Sequence, residues 1–139
     1  MIVTAKLTFS AAHRLNNPNY DAEWNRRTYD KCDNPRGHGH NYTLQVSVKG
    51  KIDPETGMVI DLKKLKDIVR ERIIDHVDHY NLNEDVDFLR GIIPTAENLA
   101  RVFWRRLAPA ISEGALYEIV LEETEKNSVT YRGEDEPSS

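Results

Sequence analysis

Hydrophobic and polar residues alternate from Val3 to His13. Val3, Ala5, Leu7, Phe9, Ala11 and His13 hold the odd positions, and Thr4, Lys6, Thr8 and Ser10 hold most of the even ones. A period of two predicts a strand with one buried face. The same period returns further on, with His38, His40, Tyr42, Leu44, Val46 and Val48 set against Asn41, Thr43, Gln45, Ser47 and Lys49. Between the two runs, Asn16 to Gly37 is rich in Asn, Asp, Pro and Arg and has no period. It reads as a long loop, and loops of that length in a small domain are usually functional or disordered. If the two strands pair antiparallel, the end of the first lies beside the start of the second. His13 then stands beside His38 and His40 on the same apolar face.

The period changes after a connection at Gly50 to Gly57, where Asp53-Pro54-Glu55-Thr56-Gly57 predicts a turn. Asp61 can cap a helix whose stripe is Leu62, Leu65, Ile68, Val69 and Ile73, ending near Asp75-His76. Val77 to Ile93 is irregular. Thr95 can cap a second helix with Leu99, Val102, Phe103 and Leu107 on its buried side, finishing before Gly114. Ala115 to Thr124 and Val129 to Arg132 read as a closing hairpin, and the acidic, polar tail from Gly133 to Ser139 as frayed. The order ββααββ predicts an α+β fold, a four-stranded antiparallel sheet covered on one face by two helices. A chain of 139 residues is long enough for one such domain, spanning 1–139, and too short for two ordinary ones.

Composition removes several function classes. A hydrophobic content of 39% lies outside the disordered range. A formal charge of −4 gives no general attraction to nucleic acid or anionic membranes, although Arg26-Arg27 and Arg105-Arg106 are able to meet a small anionic substrate. The single cysteine excludes an intrachain disulfide and fits a reducing compartment. Met1 to Lys6 lacks the apolar region of a signal peptide, and no run approaches a membrane span. A soluble cytoplasmic protein is expected.

The chemistry concentrates in Cys32-Asp33-Asn34-Pro35-Arg36-Gly37-His38-Gly39-His40. Imidazoles two apart on a strand project from one face and can reach one ion. With His13 they make three neutral nitrogen ligands that leave a position open, the pattern of a catalytic metal site, and zinc suits an all-imidazole set. Cys32 has three readings: inert packing, a fourth ligand closing a structural site, or a base whose thiolate a neighbouring cation favours. Asp78-His79 reads either as a polar loop at a helix end or as a carboxylate orienting a proton-exchanging imidazole. His76, one turn away, reads as structural. Glu123 shares the phase of Tyr117, Ile119 and Leu121, so its carboxylate needs a partner: a buried arginine, or a ligand with adjacent N–H donors. Glu97 is accounted for as first-turn charge on a helix.

These motifs, in order, resemble the 6-pyruvoyl-tetrahydropterin synthase family. The resemblance runs through Phe9-Ser10-Ala11-Ala12-His13-Arg14-Leu15, Cys32 to Tyr42, Ile52 to Val59, Asp78-His79-Tyr80-Asn81-Leu82, Thr95-Ala96-Glu97-Asn98, Gly114-Ala115-Leu116-Tyr117 and Glu123-Thr124, nearly the whole chain. It implies the tunnelling fold, with subunits joined into trimer barrels stacked as a hexamer and active sites between subunits. It implies that His13, His38 and His40 hold Zn²⁺, that Cys32 is the catalytic thiol with Asp78 and His79 as proton-relay partners, and that Glu123 anchors the pterin. Thr95 and Glu97 are the further substrate-binding candidates it carries. The implied reaction is that of a carbon–oxygen lyase, turning 7,8-dihydroneopterin triphosphate into 6-pyruvoyl-tetrahydropterin with loss of triphosphate.

A sister branch makes 6-carboxy-tetrahydropterin on the route to queuosine and usually has its cysteine three residues before the His-Gly-His unit. Here Asp33 to Gly37 separate Cys32 from His38, the spacing of the pyruvoyl branch. Arg36 and the loop from Asn16 to Arg27 are where the family varies.

Overall fold

The computed structural model describes residues 1–137. Strand β1 (Ile2–His13) pairs antiparallel with β2 (His38–Lys49) along its full length, from Ile2 opposite Lys49 to His13 opposite His38. This is the register that the two alternations predict. Going toward the end of the pair that the 14–37 connection joins, the buried face carries Phe9 opposite Tyr42, then Ala11 opposite His40, then His13 opposite His38. The small Ala11 leaves room for the His40 ring. The histidines are therefore the last layers of the core ladder, directly above a Phe9–Tyr42 stack with centroids 4.7 Å apart.

Two helical segments cover that face. Helix α2 (Leu62–Val69), capped by Asp61 accepting from Lys63 N–H at 2.9 Å, passes through a π-helical turn (Arg70–Ile74) into α3 (Asp75–Val77). Leu65, Val69, Ile73 and Val77 are fully buried, so the wider turn keeps the apolar stripe on the sheet. Helix α4 (Ala96–Leu107) starts where Thr95 accepts from Asn98 N–H, and buries Leu99, Val102, Phe103 and Leu107 as its spacing predicts. The hairpin of β4 (Ala115–Thr124) and β5 (Asn127–Tyr131) closes the sheet. Among the described residues no helix is long and apolar enough to cross a membrane.

Three features depart from expectation. The sheet has five strands, in the order β3-β1-β2-β4-β5, because β3 (Tyr80–Asn81) adds a parallel edge to Ala11–Ala12. Two residues are too few to show a period. Main-chain bonds from His79 N–H to Ser10 O (2.6 Å) and Leu82 N–H to Ala12 O (2.8 Å) hold this strand instead. The segment read as loop between β1 and β2 contains a helix, α1 (Ala22–Tyr29), and a 3-10 turn at Asp30–Asp33. That helix has no apolar stripe to read. Its one buried residue is Asn25, whose amide donates to the carbonyls of Asn17, Tyr20 and Asp21. Finally, the tail is anchored at least as far as Glu136, which accepts from Arg105 Nε at 2.7 Å and from the Tyr131 hydroxyl at 2.9 Å. Gly133 lies so close to Trp104 that a Cβ there would stand 2.6 Å from the indole. Ser138 and Ser139, part of the tail expected to fray, lie outside the described residues.

Candidate active site

His13, His38 and His40 converge as strand phase predicts, with one ring nitrogen from each lying within 4.8 Å of the others. His13 is buried, and its Nδ1 lies 2.8 Å from the Pro94 carbonyl. A carbonyl only accepts, so Nδ1 carries the proton and Nε2 presents its lone pair inward. That nitrogen stands 3.1 Å from His38 Nε2. Two ligands about 2.0–2.1 Å from one tetrahedral ion would be about 3.3 Å apart, so the spacing fits a shared ion. His40 Nε2 and His38 Nδ1 are buried without a hydrogen-bond partner. A buried imidazole nitrogen without a partner costs free energy, and for His40 Nε2, which faces the other rings, ligation is the ordinary remedy.

Burial lowers the pKa of His13, where the Pro94 hydrogen bond and Glu123 oppose it and the neighbouring histidines reinforce it. Burial also lowers His40, against the opposing pull of Glu123. Neutral imidazoles are the form that ligates, so the donor set fits a divalent cation.

Glu123 occupies the extra position of a bulge, between Glu122 opposite Ser128 and Thr124 opposite Asn127. The bulge aims its carboxylate toward His40, at 3.7 Å from Nε2, too long for a hydrogen bond. Of its two candidate partners, the arginine is not found: among the described residues no lysine or arginine pairs with Glu123. A half-buried carboxylate with acceptor capacity to spare is left facing the triad.

Cys32 sits half-buried in the 3-10 turn, which is tied to the end of β1 by Leu15 N–H donating to the Cys32 carbonyl at 2.8 Å. Burial pushes the thiol pKa up, and the negative charges of Glu123 and Asp30 push it further. The lowered thiol expected beside a cationic site is thus not a property of the protein groups alone, because burial and the two carboxylates all act to raise it. A divalent charge on the triad would act in the opposite direction.

Asp78 and His79 form the oriented pair that their spacing allows, with His79 Nδ1 3.0 Å from Asp78 Oδ1. The same carboxylate oxygen accepts Ser10 N–H at 2.9 Å, fixing the pair to β1. His79 takes a left-handed backbone, φ 67°, and its side chain is 81% exposed. The pair lies at the β3 edge, where His79 lines a shallow pocket with Ser10, Gly39 and Asn41, and among the described residues no hydrogen bond joins the pair to Cys32. Thr95 neighbours Pro94 and spends its hydroxyl on the α4 cap, while Glu97 stands exposed in the first turn. His76 Nε2 donates to the Glu71 carbonyl at 3.0 Å, in keeping with its structural reading.

Sequence reasoning missed the Pro94 carbonyl that sets the His13 tautomer, since a main-chain acceptor leaves no side-chain signature. Tyr42 was within reach, because it shares the phase of His38 and His40. Its ring packs edge-on against His13 and His40, with centroids at 6.3 and 5.7 Å, and burial raises its phenol well above the usual range.

Fold and site together define an α+β protein with a three-histidine centre able to hold a metal ion at one end of its sheet. Residues 2–134 match the family model described as 6-pyruvoyl tetrahydropterin synthase. The chain is 47% identical over 132 residues to the 6-pyruvoyl tetrahydrobiopterin synthase of Poecilia reticulata, covering 95% of this chain and 90% of that protein. It is 42% identical to the Homo sapiens protein of the same name, covering 95% and 91%. The solved structure of Caenorhabditis elegans 6-pyruvoyl tetrahydropterin synthase superposes with a TM-score of 0.87 at 42% identity over 96% of each chain. The chain belongs to the 6-pyruvoyl tetrahydropterin synthase family, and its fold is the tunnelling fold of that family.

Proposed function

We propose that this protein, acting as one domain over residues 1–139, is a zinc-dependent carbon–oxygen lyase. It converts 7,8-dihydroneopterin triphosphate into 6-pyruvoyl-tetrahydropterin and inorganic triphosphate. The observation that carries the reading is the pairing of a three-imidazole set, in which the buried His40 Nε2 is orphaned, and a carboxylate that has no basic partner among the described residues. The first suits an ion. The second suits a ring with adjacent N–H donors. The names of relatives at 42–47% identity point to the same substrate.

Zn²⁺ held by His13, His38 and His40 would supply Lewis acidity, making the C–H bonds beside the side-chain hydroxyls more acidic. The protein groups divide the remaining work. Glu123 accepts two hydrogen bonds from the pterin N3–H and 2-amino group and fixes the ring. Thr95 and Glu97, on the turn next to Pro94, complete the substrate contacts. The Cys32 thiolate removes the C1′ proton, and His79, oriented by Asp78, exchanges protons with the side chain. The two hydrogens the ring gains come from the side chain as its alcohols are oxidised, and elimination expels the triphosphate. The electrons balance within the substrate, so no external redox cofactor enters.

The assembly is proposed as a hexamer of two trimers. In support, among the described residues the outer edge of β1 has no strand partner before Ala11, and Ile2 on β1 and Tyr80 on β3 are exposed. The exposed His79 ring, held by Asp78 and without a hydrogen bond to Cys32 among the described residues, is accounted for if it serves the site of a neighbouring subunit. A cytoplasmic location completes the reading.

Zinc-loaded protein incubated with 7,8-dihydroneopterin triphosphate is expected to yield 6-pyruvoyl-tetrahydropterin, identified by mass. Release of acetaldehyde with a carboxylated tetrahydropterin would replace this reading with that of the queuosine branch, against which the five-residue spacing after Cys32 speaks.

A further inference from the structure

Across the open end of the sheet, Glu123 stands on β4, His40 and His38 on β2, and His13 on β1. Beyond β1, on the side away from Glu123, lies a groove of about 610 Å³. Its walls continue directly from the parts that build the triad. Arg14 follows His13, Gly37 precedes His38, and Ile93 precedes Pro94, whose carbonyl holds the His13 ring. The groove opens where the triad ends.

Its walls are set in advance. Asn83 clamps the main chain of Arg14 through two 2.8 Å bonds, accepting Arg14 N–H and donating to Arg14 O. Arg14 Nε donates to the Asp33 carbonyl at 2.9 Å and Nη2 pairs with Asp33 Oδ1 at 3.0 Å. Asn16 donates to that same oxygen at 2.8 Å. Arg36 grows from a turn pinned by Asn34, which accepts Arg36 N–H on its side chain at 3.1 Å and Gly37 N–H on its carbonyl at 2.8 Å. Gly37 has φ 73°, and a Cβ there would stand 3.0 Å from the His13 carbonyl, so the turn closes this tightly only with glycine.

The Asn16 and Asn83 amides are spent on holding Asp33 and Arg14. The strong donors left to the groove are guanidinium N–H groups: those of Arg14 that Asp33 does not use, and all of Arg36, which has no side-chain partner among the described residues. Glu84 is the one acidic residue in the lining, and it is exposed.

We propose that this groove is the subsite for the triphosphate of the substrate, with Arg14 as the fixed phosphate donor and Arg36 as the cation that sets affinity for it. The assignment rests on the substrate proposed above. That molecule is linear, with a ring, a hydroxyl-bearing side chain and a triphosphate. The three parts fall in the same order as Glu123, the histidine triad and the groove. The planar guanidinium fork suits phosphate oxygens, and a site with no competing carboxylate at Arg36 leaves its donors free for them.

The test uses a non-reacting pair of fluorescent ligands, neopterin and neopterin triphosphate, titrated against the zinc-loaded protein. Arg36→Ala is expected to weaken neopterin triphosphate about tenfold and Arg36→Glu about a hundredfold, as befits loss and then reversal of a charge-assisted contact. Neopterin affinity and zinc content stay at the wild-type level, and Arg36→Lys recovers most of the loss. Unchanged triphosphate affinity in Arg36→Glu would overturn the subsite while neopterin binding upholds the pterin site. Equal weakening of both ligands would also overturn it. If wild-type protein binds neither ligand, the substrate reading fails and the subsite with it.

Discussion

Cys32→Ala keeps its zinc, its fold and its oligomer while kcat falls by roughly 10²–10⁴-fold, the range that removal of a positioned acid or base produces. The expectation follows from the placement of the thiol. Cys32 lies in a separate 3-10 turn, fastened to β1 through its own carbonyl and through the Arg14–Asp33 pair rather than through its side chain. Removing Sγ therefore leaves the turn intact. The three imidazoles offer a ligand set without it. Metal analysis, size-exclusion chromatography and steady-state turnover on the same preparation check the three parts. A variant that loses zinc along with activity would make Cys32 a fourth ligand of a structural site. One that retains turnover would remove the thiol from the chemistry.

The second large effect separates two histidines of the triad. His38→Ala loses bound zinc and all turnover, because two imidazoles cannot hold the ion at the affinity of three. Its metal-free stability changes less than that of His13→Ala, since His38 is only half-buried, its Nδ1 has no partner to lose, and its one polar ring contact among the described residues is the half-buried 3.1 Å approach of Nε2 to His13. His13→Ala loses zinc as well, but it also destabilises the metal-free protein. His13 is 1% exposed and supplies the bond that satisfies the Pro94 carbonyl beside the start of α4. Stranding that carbonyl costs about 1–3 kcal/mol, before any cavity is counted. Urea unfolding of the two variants after chelator treatment, compared with wild-type, reads the difference directly. Equal midpoints for His13→Ala and wild-type would mean that the Pro94 contact carries no weight.

The site was legible in the sequence to the extent that it follows from period. Alternation put His13, His38 and His40 on one face, antiparallel pairing put them at one end, and the observed register places His13 opposite His38. Glu123 came from phase alone, and its lack of an arginine partner is a tertiary fact that no local pattern reports. What escaped the reading is held by polar contacts. Helix α1 is organised around the buried amide of Asn25, β3 is two residues long, and the tail is fixed by Glu136 on Arg105 and Tyr131. None of these has an apolar period. The thiol was legible as a residue but not in its ionisation, because its charge state depends on Glu123 and Asp30 and on what the triad binds.

The central claim is that three imidazoles hold the metal and leave the thiol for chemistry. X-ray absorption at the zinc edge of the loaded wild-type protein tests it most directly. The predicted spectrum has only nitrogen and oxygen neighbours, with Zn–N distances of about 2.0–2.1 Å. A sulfur shell at about 2.3 Å would place Cys32 on the metal and contradict the account.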